Sequence, residues 1–266
     1  MNLEGNVASL LDIIATVVIL IAVGLGAGTL GSMLGVGGGI VMVPALTILG
    51  LPPAQAASTS LIAVTSTSVS STIEYSRQKR IDYRLGLQMG AFAIPGAVLG
   101  AILSDYLSVG LFKLCFGIFL ILVGIYVLYK NSILKDSAVQ KRSMTLQAAV
   151  FAGAFGAGII SSLFGVGGGV IFVPAMLLVL GLTMQRAIAT SQLTLIMTSM
   201  AGVLMHAFLL HPDYLQAAAL SAGAFAGAQI GARTSRLAKD FLLQRLFGLA
   251  LIAVAVELII DWFTSK

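Results

Sequence analysis

Two glycine triplets, Gly37-Gly38-Gly39 and Gly167-Gly168-Gly169, are the residues of this chain best placed to do chemistry. Each stands just before a short apolar run of helical character. Its backbone N–H groups would therefore face outward at the positive end of a helix, and such ends attract anions. Two triplets would present two converging sets of donors. Glycines also let membrane helices approach one another closely. Gly24, Gly28, Gly31 and Gly35, spaced by three or four, fit that structural role. Neither triplet is a nucleotide phosphate loop, because no Gly-Lys-Ser/Thr follows and no strand precedes.

A second set of candidates is rich in hydroxyls. Ser58, Thr59, Ser60, Thr65, Ser66, Thr67, Ser68, Ser70, Ser71 and Thr72 crowd one segment, and Thr190, Ser191, Gln192, Thr194, Thr198 and Ser199 another. Most are expected to bond to a carbonyl one turn earlier or to a neighbouring helix. Thr59-Ser60 and Thr190-Ser191, near the helix starts, are the expected ligand contacts. Gln192 stands where the first segment has Leu61, so a site built from both would be asymmetric. Pro44 and Pro174 follow the triplets closely and are expected to shape short helices.

The remaining polar residues have plainer readings. Asp82 and Asp213 each precede a helix, as N-caps do. Glu74, Glu257 and Lys113 fall near segment ends, and His206 and His211 flank a loop where pairing or capping is the expected role. Cys115, the single cysteine, sits in an apolar run and is expected to fill the core. No Ser/His/Asp or HExxH arrangement and no metal-ligand cluster is visible. No enzyme activity, cofactor or metal is expected.

The elements that hold these residues follow from composition. Of 266 residues, 58% are hydrophobic and 9% charged, and the mean hydropathy is +1.04. Soluble domains carry roughly 25% charged residues. Too few charges remain to cover a water-facing surface, which excludes a soluble enzyme or a nucleic-acid-binding domain. About 20 apolar residues cross a bilayer, so the length allows some eight to ten spans. Such runs must be helices, since lipid cannot satisfy open backbone groups. Residues 1–30 lack the basic start of a cleaved signal and read as a first helix.

The chain also contains its own copy. Gly35–Gly39 and Val43-Pro44-Ala45 return 130 residues later as Gly165–Gly169 and Val173-Pro174-Ala175. After one inserted residue the offset is 131: Thr59-Ser60 matches Thr190-Ser191, Asp82-Tyr83 matches Asp213-Tyr214, and Gly96, Gly100 and Gly117 match Gly227, Gly231 and Gly248. The expected division is a first repeat at 1–129, a linker at 130–143 and a second repeat at 144–266. Each repeat reads as five segments: Ser9–Leu34, Ile40–Gly50, Ala54–Tyr75, Leu85–Ser104 and Val109–Tyr129, then Met144–Phe164, Val170–Gly181, Gln185–Leu209, Leu215–Ala232 and Phe241–Trp262. Eleven residues at 40–50 reach only about 16 Å of a core about 30 Å thick. The first two segments of each repeat are therefore either a re-entrant hairpin or two crossings.

Cytoplasmic loops carry the excess of Lys and Arg. With both termini outside, 77–84 and 130–143 are cytoplasmic, and thirteen of the 15 basic residues fall inside, against Lys113 and Lys266 outside. Equivalent loops have opposite charge habits. Arg77–Arg84 is basic while its counterpart Phe208–Leu215 has no Lys or Arg, and Arg233–Lys239 is basic while Ile102–Ser108 has none. Duplicates facing opposite sides should look like this. The expected fold is an all-α integral membrane protein of two five-segment inverted-topology repeats, with short or broken helices after glycine-rich turns.

The pattern GVGGG…VPA…LG…TS, present in both halves and begun by Gly35–Ala45 and Gly165–Ala175, resembles the sulfite exporter TauE/SafE family of membrane permeases over nearly the whole chain. The resemblance implies a cell-membrane transporter of sulfite, organosulfonates or related small anions. The residues add that neutral donors would hold the anion, with protons as a plausible co-substrate. A passive anion channel and a non-transporting assembly factor are the alternatives.

Overall fold

The structure, a computed structural model, describes residues 3–106, 108–129, 144–237 and 240–264. The linker expected at 130–143, both chain ends and Lys239 lie outside them. Ten α-helices follow in order among the described residues, with no strand: α1 (Leu3–Leu34), α2 (Gly39–Ile48), α3 (Pro53–Arg77), α4 (Tyr83–Leu103), α5 (Val109–Tyr129), α6 (Met144–Phe164), α7 (Gly169–Leu178), α8 (Met184–Phe208), α9 (Tyr214–Leu237) and α10 (Asp240–Thr264). A 3-10 turn, Ser104–Tyr106, follows α4. The expected segments for α5 and α6 agree at both ends, while α9 continues five residues beyond Ala232. Ile14–Leu34, Tyr83–Leu103 and Met184–Phe208 are, by length and composition, apolar enough to cross a membrane.

Local chemistry fixes the helix ends. The Asp82 carboxylate accepts from Leu85 N at 3.1 Å and the Asp213 carboxylate from Gln216 N at 3.0 Å, the expected N-caps. Thr183 caps α8 through Arg186 N at 3.4 Å. Pro53 opens α3, where a missing N–H costs nothing. Helices α3 and α8 end alike: Lys79 (φ 55°) and Leu210 (φ 58°) turn left-handed, and Arg80 N and His211 N return to Tyr75 O and His206 O.

Glycines then set which helices touch. A Cβ at Gly24 or Gly28 would strike Leu220 O or Ala224 O, and one at Gly223 or Gly227 would strike Ile21 O or Leu25 O. The ascending register makes α1 and α9 parallel and backbone-close. Gly96, Gly100 and Gly158 lock α4 to α6 in the same way, against Phe155 O, Ile159 O and Ala93 O. In contrast, Thr65 bonds Ser199 at 2.8 Å and Gly202 faces Leu61, a descending register that makes α3 and α8 antiparallel. Helices α5 and α10 are antiparallel too, with Gly117 facing Ile259 and Gly124 facing Ile252.

The hydroxyl-rich helices use most of their hydroxyls on carbonyls. Thr67, Ser71, Thr194, Thr198 and Ser199 donate to the residue four earlier. Ser66 and Ser70 cross to Ser221 O and Phe225 O on α9. One expectation is corrected: Cys115 is exposed on the outer side of α5 and does not fill the core. Phe116 beside it takes that place, fully buried and stacked on Phe164 with centroids 4.7 Å apart.

Candidate functional site

The two glycine turns meet inside the bundle. Helix α1 ends at Leu34, and Gly35, Gly37 and Gly38 all take positive φ (79°, 84°, 87°) before α2 begins. Gly165, Gly167 and Gly168 repeat this (71°, 85°, 79°) between α6 and α7. Only glycine adopts three such angles in a four-residue stretch without strain. Closeness matters as much as angle: a Cβ at Gly39 would fall on Gly165 O, and one at Gly169 on Gly35 O. The turns therefore pack backbone against backbone.

Each turn is pinned by the other repeat. Ser60 Oγ donates to Gly165 O at 3.0 Å and Ser191 Oγ to Gly35 O at 2.6 Å. Thr190 Oγ1 accepts from Asp82 N at 3.0 Å, and Thr59 Oγ1 from Asp213 N at 3.1 Å. All four hydroxyl residues are fully buried. The structure thus brings the Ser60 and Ser191 hydroxyls to the turns, while those of Thr59 and Thr190 sit at the starts of α9 and α4; all four are engaged by the backbone of the opposite half. Gln192 Nε2 donates to Gly31 O at 3.0 Å, while its buried Oε1 has no partner.

The turns present the starts of two short helices. Helices α2 and α7 have 10 residues each, about 15 Å, and cannot cross a hydrocarbon core about 30 Å thick. Val41 N and Met42 N return to Gly38 O, and Ile171 N and Phe172 N to Gly168 O. The N–H groups of Gly39 and Gly169 precede these first bonds, where a helix has no internal acceptor to offer. Pro44 and Pro174 lie inside α2 and α7, where each removes one backbone donor.

Two residues of this site are not singled out by the sequence. Val64 Cγ1 lies 2.7 Å and 2.6 Å from where Cβ atoms would stand on Gly37 and Gly167, and Leu195 approaches the same two positions at 3.3 Å and 3.0 Å. They occupy equivalent positions, 131 apart, and fill the space between the turns. Plain aliphatics in apolar helices carry no signal; only alignment of the two repeats marks them. Ser68, one of the hydroxyl candidates, is also here, with its buried Oγ lacking a partner and 3.6 Å from the Cβ position of Gly37. Every side chain named at the turns is uncharged. A cavity of about 480 Å³ lies elsewhere, between α2 and α10, with Glu257 on its wall.

The model of the family described as sulfite exporter TauE/SafE matches residues 20–258, which contain both turns and all ten helices in whole or part. The chain belongs to that family. It is 34% identical, over 93% of its own length and 99% of the relative's, to a probable membrane transporter protein, YunE, of Bacillus subtilis. It is 30% identical to the probable membrane transporter protein MJ0441 of Methanocaldococcus jannaschii, over 71% of each chain. YfcA of Escherichia coli, also a probable membrane transporter protein, is 28% identical over 78% of this chain and 76% of its own. No solved structure matches the chain. Membership makes this a membrane-embedded transporter, in a family of permeases and not an enzyme class.

Proposed function

We propose that the protein is a secondary transporter that exports a small sulfur oxyanion, sulfite or an organosulfonate, by alternating access. The observation that carries this reading is the pair of glycine turns meeting back to back, each held by a serine of the opposite repeat. Both put a helix start toward one buried place, and an anion there gains from two helix dipoles and from unshared N–H groups. The antiparallel pairing of α3 with α8 and of α5 with α10 supports inverted repeats, because each pair stands at equivalent places in the duplication. In this reading Gly38, Gly39, Gly167, Gly168 and Gly169 supply amides; Gly37, whose N–H donates to Gly31 O at 3.1 Å, joins them with the side-chain donors Thr59, Ser60, Thr190, Ser191 and Gln192 once the halves shift.

Several features favour this chemistry. A site of neutral donors holds an oxyanion through hydrogen bonds alone and releases it when water returns. Oxygen-rich sulfite and sulfonates accept many such bonds. Val64 and Leu195 seal the space between the turns, which favours alternating access over an open channel. The experiment is counterflow in proteoliposomes with sulfite, thiosulfate, sulfate and a sulfonate in competition. Saturable counterflow of sulfite or a sulfonate is expected; linear, non-saturating flux would replace the carrier with a channel, and an inert protein would end the reading.

A further inference from the structure

We propose that His206 and His211 form a proton-binding site at one end of the bundle, in which a single extra proton is shared between the two imidazoles. His206 is fully buried on α8, and His211 is half-buried on the loop that follows. Their Nδ1 atoms are 2.9 Å apart, and His206 Nε2 lies 3.1 Å from Ser162 O, in the last turn of α6 before the second glycine turn.

These contacts fix the protons. A carbonyl only accepts, so His206 Nε2 carries hydrogen, and its Nδ1 in the neutral ring must accept. His211 Nδ1–H is then the donor. With an extra proton on the pair, His211 carries hydrogen on both ring nitrogens and the Nδ1–Nδ1 bond stays intact, now charge-assisted and stronger. Transfer of the Nδ1 proton from His211 to His206 moves the charge one residue inward, and His211 is left neutral with hydrogen on Nε2. The proton goes no further, because His206 Nε2–H faces a carbonyl that cannot take it. The pair is a store and not a wire.

Two independent observations point the same way. Ser161 Oγ and Ser162 Oγ are buried without partners, and Ser161 Cβ lies 3.2 Å from the Cβ position of Gly168, so unsatisfied hydroxyls line the step from the pair to the turn. The equivalent place in the first repeat, 131 residues earlier, holds Tyr75 and Arg80. Tyr75 donates to Ser32 O at 2.7 Å, matching His206 on Ser162 O, and the Arg80 guanidinium stands 5.3 Å from the Tyr75 ring, matching the 5.1 Å between the imidazoles. One end thus has a fixed cation where the other has a titratable one. Asp213, two residues on, caps α9 through Gln216 N; Asp105 lies on the turn after α4; α6 and α7 carry no titratable residue, and Tyr83 and Arg84 of α4 and Arg186 of α8 stand at the opposite end.

The link to transport rests on the function proposed above: a proton held at His206 would raise anion affinity at the second turn, on the order of tenfold for one charge acting through a partly screened interior. The chain has only two histidines, so the full-length protein labelled with 15N-histidine in nanodiscs reports the pair alone. Between about pH 8 and 5, where imidazoles titrate, we expect the two rings to respond together, in coupled steps that belong to the pair. His211→Gln should leave one imidazole with one step. Two identical, independent titrations would overturn the proton site, as would a His206 titration unchanged in His211→Gln. Methanesulfonate, ionised throughout this range, is the anion probe. Its binding should tighten about tenfold from pH 8 to 5.5 in the native protein, stay flat in the double variant His206→Gln, His211→Gln and be tight at both pH values in His211→Arg. Coupled proton uptake without any sulfonate binding would leave the proton site standing and overturn the substrate reading.

Discussion

Replacing Gly39 or Gly169 by alanine adds one methyl group where the two turns touch. At Gly39 the new Cβ would fall on Gly165 O and lie 2.7 Å from Val166 Cα; at Gly169 it would fall on Gly35 O and lie 2.6 Å from Val36 Cα. Every one of these neighbours is backbone, so no side chain can rotate away. Neither glycine has positive φ, so the effect is steric and not conformational. Overpacking a tight contact costs about 1–3 kcal/mol. Gly26 and Gly156, in α1 and α6, are the matched controls, since a Cβ there meets nothing within 4 Å. Alanine in a helix interior gains up to about 1 kcal/mol over glycine. The turn variants should therefore fall about 1–4 kcal/mol below the control variants. Unfolding of purified protein, followed by circular dichroism in mixed micelles, measures the gap. Counterflow normalised to inserted protein should drop in Gly39→Ala and Gly169→Ala and persist in Gly26→Ala and Gly156→Ala. If Gly39→Ala matched Gly26→Ala in both assays, the back-to-back packing of the turns would be wrong.

Other consequences follow from the same contacts. Ser60→Ala and Ser191→Ala each orphan a buried carbonyl and should each cost about 1–3 kcal/mol, nearly equal because the two bonds are equivalent; the same unfolding assay checks this. Val64→Ala and Leu195→Ala open space between the turns and should turn saturable flux into a leak with a linear component, read by tracer efflux at rising concentration. Glu74→Gln breaks the 3.5 Å pair with Arg233, whose side chain is 66% exposed, so stability should change by less than about 1 kcal/mol. Asp213→Ala removes the α9 cap and should cost about 1 kcal/mol in unfolding free energy.

Much of the fold is legible in the residues. Helix starts at Asp82 and Asp213 were readable because a carboxylate before an apolar run has one local job, and the span Val109–Tyr129 because nothing polar interrupts it. The duplication, plain in the two GVGGG copies, foretold which residues share an environment, although not which helices touch. That Gly24 meets Leu220 depends on how two halves dock, and no local pattern encodes docking. The same gap explains Cys115: an apolar helix is apolar on all sides, so its lipid-facing and core-facing residues look alike. At the site, Thr59-Ser60 and Thr190-Ser191 were visible as repeated hydroxyls, but their bonds to the opposite backbone were not. Val64 and Leu195 had no chemical signature at all.

The opposed orientation of the two repeats is best tested by sidedness of labelling. Lys79 and Leu210 are exposed, stand 131 residues apart, and share the same left-handed backbone, so a cysteine at either meets the same local conditions. In a Cys115→Ser background, intact cells would be treated with a membrane-impermeant maleimide. Leu210→Cys should react from outside, and Lys79→Cys only after the membrane is opened. Equal reaction of both in intact cells would place the two loops on one face and contradict the account.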